Sequence, residues 1–295
     1  MISLLSILFA QAAAAATAQP APAGPPTPAQ IADAAPAADW QAIVADDLLV
    51  MTLGDGRRVV IQLAPDFSAA HVAAVRRIAV ARWWDQGASI NRVQDNYVAQ
   101  WGAADEAKPL PAGIADTVPA DYDVAAFKLS GVRKRDAYAK TTGYSASGWP
   151  VASDGKRAWL PHCYGYVGVG RDLKPSTGSG SELYAVIGHA PRHLDRNIAV
   201  VGRVVAGIEL LSALPRGTGA LGFYEDPRQR VAIRSIRLAS SLPAEEQPRF
   251  EYLRPTSASF ARYQNARENR EPPFFERPAG GADICNVPVP VRAVR

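Results

Sequence analysis

The chain has 295 residues, 48% hydrophobic and 20% charged, enough to bury a sizeable core in one decorated domain or two small ones. Its 32 basic and 28 acidic residues leave a net charge of +4 but are interspersed along the chain. That argues against the concentrated positive face on which nucleic-acid or anionic-membrane binding depends. Only Arg76-Arg77 and Arg133-Lys134-Arg135 form short basic clusters, which solvated surface charge explains.

The first element is a short apolar run, ISLLSILFA, followed by an Ala-rich stretch in which Ala16-Thr17-Ala18 satisfies the small-x-small rule for signal peptidase. Residues 1–18 therefore read as a signal peptide cleaved before Gln19, and the chain as periplasmic or secreted, although no Lys or Arg precedes the run. The run is too short to span a bilayer, and no later stretch approaches that length, so no stable membrane insertion is expected after cleavage. Residues 19–38 read as a mobile Pro/Ala-rich linker with little to bury.

Folding should start near Trp40. The stretch LLVMTLGDGRRVVIQL, from Leu48 to Leu63, sets two β-rich runs around Gly54-Asp55-Gly56 and predicts a hairpin. Beyond Ala64-Pro65 a helical period runs through Val72, Val75 and Ile78, with Ser68 as the expected N-cap and Gly87 as the stop. Residues 90–100 return to a strand-like pattern. Residues 103–160 are polar and irregular, too long for a structureless connection, and should hold an inserted helix or hairpin.

Further on, YGYVGVG, ELYAVIG and IAVVGRVV have the spacing of strands in an antiparallel barrel. GIELLSAL predicts a short helix and RVAIRSIRLAS a last strand. In the tail, helical periodicity through Phe260 and Tyr263 predicts packing on the domain. Two cysteines, Cys163 and Cys285, lie far apart; in an exported chain they read either as a disulfide or as two buried free thiols.

The order strand, turn, strand, Ala-Pro, helix, aromatic-Asp loop and Arg-bearing strand resembles that of the cyclophilins. Trp84-Asp85 leading into Asn91-Arg92-Val93 and on to Tyr97-Val98-Ala99-Gln100 resembles the family's Tyr-Asp-Gly loop, its Phe-His-Arg-Val and its Phe-Met-x-Gln. Gly165 to Arg171 resembles the Gly-x-Val-x-Met-Ala-Arg strand, and Ser179 to Tyr184 stands where Gly-Ser-Gln-Phe-Phe would be. Leu194-Asp195 to Val204 resembles the segment that follows, so the likeness spans about residues 47–240.

The resemblance implies a mainly β fold: a closed antiparallel β-barrel capped by helices over 40–242, with an insert at 103–160 and a C-terminal extension, 243–295, packed upon it. It also implies peptidyl-prolyl cis/trans isomerase activity. Such a reaction needs no nucleophile, base, metal or cofactor; the catalyst grips the proline ring and stabilises the twisted amide. A permanently charged guanidinium with fixed donors suits that task. By resemblance Arg92 is the catalytic residue and Gln100 orients the substrate backbone or holds Arg92. Tyr97, Val98, Tyr184, His193 and Leu194 map onto the pocket, and Gly170, Arg171 and Glu182 onto the stretch beside the extended peptide. Expected partners are proline-containing polypeptides, unfolded or partly folded exported proteins, and the chain is expected to be monomeric.

Several positions depart from the family pattern. His193 replaces an aromatic residue, often Trp; Ile198 replaces His; Val98 replaces Met; Glu182 replaces Gln; Asn91 replaces His; Leu183 and Tyr184 replace a Phe pair. These imply slower or more selective turnover and weak cyclosporin binding, and they admit a rival reading: a catalytically weak peptide-binding or chaperone module on the same fold. Other chemistries lack support. His189 and His193 flank Pro191 with no third ligand nearby, and the Gly-Ser-Gly-Ser run has neither a hydrolase elbow nor a Gly-Lys-Ser/Thr phosphate cradle.

Overall fold

The structure is a computed structural model that describes residues 24–294 except 86, 106 and 135. The signal-peptide reading, 1–18, and the start of the linker lie outside the described residues.

In chain order, helix α1 (Pro28–Asp33) leads into β1 (Trp40–Ala42), the hairpin β2 (Leu48–Leu53) and β3 (Arg58–Leu63), helix α2 (Ala69–Val80), then β4 (Ala88–Val93) and β5 (Val98–Ala103). The insert contributes β6 (Val124–Ala125), β7 (Ser130–Arg133), β8 (Thr141–Tyr144), β9 (Pro150–Ser153) and β10 (Arg157–Trp159). Next come β11 (Tyr166–Val169), β12 (Leu183–Val186), β13 (Val200–Ala206), helix α3 (Ile208–Ser212) and β14 (Val231–Leu238). The chain closes with β15 (Phe250–Leu253), helix α4 (Ala258–Glu268) and β16 (Val291–Ala293).

Eight strands form a closed antiparallel barrel in the order β11-β12-β5-β4-β14-β2-β3-β13. The architecture is mainly β. Inward-facing Leu49, Met51, Ile61, Ile90, Trp101, Val167, Leu183 and Ile236 fill the barrel, and α2 closes one end with Val72, Val75 and Ile78. The β2–β3 hairpin turns at Gly56, whose φ of 90° suits a residue without Cβ.

The Pro/Ala stretch departs from the linker expectation. Thr27 and Gln30 form a reciprocal capping box with Pro28 in the first turn, so α1 has a start signal. Ala32 and Ala35 bury their methyl groups in a second cluster with Phe260, Tyr263, Leu253 and Trp40. That cluster also covers Leu48, Val50 and Val60, the outward faces of β2 and β3. The covering layer is a three-stranded sheet, β1-β15-β16, so segments before and after the barrel complete one sheet.

The insert is a five-stranded antiparallel sheet, β6-β10-β9-β8-β7, with no α-helix among its described residues. It reaches the barrel in two ways. Trp149, Val151 and Leu160 join Phe67, Tyr166 and Val200 in a third cluster. Asp121 takes over the capping that sequence assigned to Ser68: its Oδ2 accepts from Ala70 N and His71 N at 2.7 and 3.2 Å, whereas Ser68 Oγ donates to Val200 O at 2.8 Å. An N-cap from another segment leaves no local signal. Cys163, just before β11, is disulfide-bonded to Cys285 of the extension across 122 residues.

Candidate active site

The site lies on the outer face of the barrel, where alternation along strands turns every second side chain away from the core. On β5, Ala99 and Trp101 point into the core while Val98 and Gln100 point out; on β12, Leu183 and Ala185 go in while Tyr184 and Val186 go out. Strict alternation from core-facing Ile90 would send Arg92 inward. The β4–β5 register shifts between Ile90 and Arg92, so Arg92 faces out although Ile90 and Val93 are both core residues. One row then crosses four strands: Arg92 beside Gln100, Gln100 beside Tyr184, Tyr184 beside Gly168.

Arg92 is held on three sides. Its Nε donates to Leu221 O at 2.7 Å, its Nη1 to Gln100 Oε1 at 2.9 Å, and its Nη2 to Gln94 Oε1. The rings of Phe223 and Tyr97 flank the guanidinium at 5.5 and 5.9 Å. Burial pulls its pKa below the ordinary arginine value, against the opposing influence of Tyr97 and Tyr184, and a delocalised guanidinium remains charged in water-exposed protein sites. Gln100 donates in turn to Glu182 Oε2 at 3.0 Å. The Glu182 carboxylate lies where a side chain at Gly102 would stand, and a Cβ at Gly170 would come within 2.9 Å of the Glu182 Cβ. Two glycines thus make room for the Gln100–Glu182 pair.

Beside the guanidinium is an apolar cluster of Val98, Tyr184 and Val186, with Tyr97 and Ile198 packed against it. Exposed His193 stacks on Tyr97, centroids 6.3 Å apart and planes 5° from parallel. Leu194, half-buried in the 3-10 turn Arg192–Leu194, does not join this cluster. Gly170 donates its N–H to Glu182 O at 2.9 Å, and Arg171 is tied to Asn197 O at 3.0 Å, so both border the row.

The structure therefore gathers Arg92, Tyr97, Val98, Gln100, Gly170, Glu182, Tyr184 and His193 in one neighbourhood. It adds residues that sequence reasoning did not assign: Gln94, the carbonyl of Leu221, the ring of Phe223, and Val186. Leu221 and Phe223 arrive from a loop 129 residues or more beyond Arg92. That loop needs Gly222 at φ 81°, where a Cβ would press on Gln94. Below the cluster, His162 Nε2 meets Tyr184 Oη at 3.1 Å, and Asp195 accepts from the His162 backbone and ring. Sequence reasoning assigns His162 no part in the site.

A closed antiparallel barrel carries on its outer face a clamped guanidinium beside an aromatic-rimmed apolar notch, and this combination of fold and site defines the class of protein. Residues 48–238 match the family model described as cyclophilin type peptidyl-prolyl cis-trans isomerase/CLD. The chain belongs to this family of isomerases, and the matched region takes in the whole barrel. Among solved structures it is similar to the cyclophilin AquaCyp293 from Hirschia baltica, with a TM-score of 0.66 and 22% identity over 86% of this chain and 93% of that one. A cyclophilin-type isomerase from Cryptosporidium parvum, solved in the presence of the dipeptide Ala-Pro, aligns with a TM-score of 0.40 and 10% identity over 65% of this chain and 98% of that one. No curated protein matches the sequence.

Proposed function

We propose that the domain accelerates rotation about X-Pro bonds in proline-containing polypeptides that fold after export, with Arg92 stabilising the twisted amide. Uncatalysed exchange takes roughly tens to hundreds of seconds, and the barrier falls if the nitrogen is stabilised once conjugation is lost. The row Arg92–Gln100–Tyr184 carries this reading, because it sets a guanidinium beside an apolar notch. A guanidinium has five N–H donors. Three are engaged with Leu221, Gln100 and Gln94, which fixes the fork and leaves two for a prolyl nitrogen or its neighbouring carbonyl. The ring of the proline would lie among Tyr97, Val98, Tyr184, Val186 and Ile198, and Gly170 and Arg171 would border the extended chain.

Export is supported by the leader-like ISLLSILFA run and by the Cys163–Cys285 disulfide, which suits an oxidising compartment. The test is a protease-free exchange measurement on a short Ala-Pro peptide. Arg92→Ala should lower the isomerisation rate at least about tenfold, or about 1.4 kcal/mol of barrier; unchanged turnover would sink the reading. The engagement of Arg92 on three sides favours a second reading, a slow enzyme or peptide-binding module. Peptide capture that survives Arg92→Ala, in a chain without turnover, would select it.

A further inference from the structure

Glu182 stands where the family pattern has Gln, and the exchange changes which hydrogen bonds the position can make. A carboxylate only accepts, whereas a glutamine amide accepts at one end and donates at the other. Glu182 Oε2 takes the Nε2 end of Gln100 at 3.0 Å, so the Oε1 end of the same amide faces Arg92 Nη1 at 2.9 Å. A glutamine at 182 would present either end to Gln100 and leave that orientation open. A glutamate permits one.

The backbone carries the carboxylate to that spot and holds it there. Buried Trp84 donates its ring N–H to Ser181 O at 2.9 Å, Gly170 donates its N–H to Glu182 O at 2.9 Å, and Leu183 pairs with Trp101 across the β12–β5 register. The side chain of Glu182 therefore reaches the outer face of β5, which Gln100 and Gly102 share as residues two apart. A Cβ at Gly102 would fall 1.9 Å from Glu182 Oε1 and 2.9 Å from Oε2, so the carboxylate fills the space over that glycine, next to Gln100. Gly170 leaves room on the other side, where a Cβ would come within 2.9 Å of the Glu182 Cβ and 3.4 Å of Gln100 Nε2.

We propose that Glu182 is a positioning residue for the isomerisation: by fixing the Gln100 amide it keeps an acceptor on Arg92 Nη1 and so holds the guanidinium fork ready for the twisted amide. A donor set in place beforehand needs no reorganisation as the bond rotates. The proposal rests on the reading that Arg92 stabilises that amide, and it assigns Glu182 to turnover rather than to gripping the chain that flanks the proline.

Glu182→Gln and Glu182→Met both remove the charge, and only glutamine keeps an acceptor, so their difference isolates the hydrogen bond to Gln100. In protease-free exchange on a short Ala-Pro peptide, Glu182→Met should lower kcat about threefold with KM little moved, as for an interaction made in the transition state. Glu182→Gln should recover most of that loss. In a Gln100→Ala background Glu182→Met should cost nothing further, because a residue that acts through Gln100 has nothing left to position. A Glu182→Met chain as fast as wild type overturns the proposal. So does a loss that persists at full size without Gln100, that appears in KM alone, or that Glu182→Gln matches. The side-chain amide of Gln100 gives a readout independent of turnover: its proton resonances should shift in Glu182→Met and stay near wild type in Glu182→Gln. If wild type turns over no Ala-Pro peptide, the isomerase reading falls separately; these resonances then decide whether Glu182 sets the amide, and equal spectra in the two variants overturn it.

Discussion

Tyr184 donates its hydroxyl to His162 Nε2 at 3.1 Å, beneath the apolar cluster that Tyr184 itself helps to form. The direction follows from the other ring nitrogen. Asp195 Oδ1 lies 3.2 Å from His162 Nδ1, and despite burial its carboxyl is held below the ordinary value by His162 and Arg192, so it is ionised and accepts; Nδ1 carries the proton and Nε2 receives the phenol. Burial pushes the Tyr184 phenol up, which keeps it a donor.

Tyr184→Phe should separate packing from polarity. It leaves a buried nitrogen acceptor without its partner, at a cost of about 1–3 kcal/mol, readable as a lower urea midpoint. The ring stays in the notch, so turnover of a short Ala-Pro peptide should fall by less than about threefold. An unmoved midpoint would mean that the hydroxyl is not satisfied by His162.

Arg92 should not tolerate lysine. Its Nε, Nη1 and Nη2 reach three acceptors in three directions, and a single ammonium cannot reproduce that fork. Arg92→Lys is expected to lose isomerase activity about as fully as Arg92→Ala, at least about tenfold. Gln100→Ala releases one arm of the fork and should cost less, about three- to tenfold. A lysine variant retaining most of the rate would show that charge, not directed donation, is what the site supplies.

Much of the barrel was legible because its local signals are strong: Gly54-Asp55-Gly56 between two β-rich runs, the period through Val72, Val75 and Ile78, and the Phe260–Tyr263 spacing of α4. The site residues were legible only through their order relative to a known family. What stayed hidden depends on distant segments. The register shift that turns Arg92 outward involves a partner strand, the Leu221 carbonyl comes from a later loop, and Asp121 caps α2 from within the insert. The described part of the 19–38 stretch departs from the linker reading because composition weighs Pro and Ala as disorder-promoting, whereas Thr27, Pro28 and Gln30 start a helix that buries Ala32, with Ala35 buried just beyond it.

The disulfide ties the C-terminal extension to the segment entering β11 and closes a loop of 122 residues. Crosslinks over loops of this size typically contribute about 2–5 kcal/mol. Cys163→Ala with Cys285→Ala should lower the unfolding midpoint accordingly, and reducing agent should lower the wild-type midpoint to match while leaving the double variant unmoved. Wild-type midpoints that agree with and without reductant would show that the extension is held by packing alone.

Asp195 supplies a pH dependence whose sign can be worked out. Burial raises its carboxyl, but the hydrogen bond from His162 and then the charge of Arg192 outweigh that, so its folded pKa lies below the ordinary 3.8. Between the folded and unfolded values the unfolded chain binds more protons, so stability rises with pH there. The contribution is complete above the unfolded value and drains away as pH falls through the folded one. Asp195→Asn removes it while keeping the size of the side chain. The variant should be less stable than wild type at neutral pH, and the gap in urea midpoint should narrow as pH drops below about 4. Arg192 retains Asp136 at 3.0 Å in the variant, so its charge is not left alone. A gap that stays constant from neutral pH down to about 3 would mean that the network is held by shape and hydrogen bonding rather than by the ionised carboxylate.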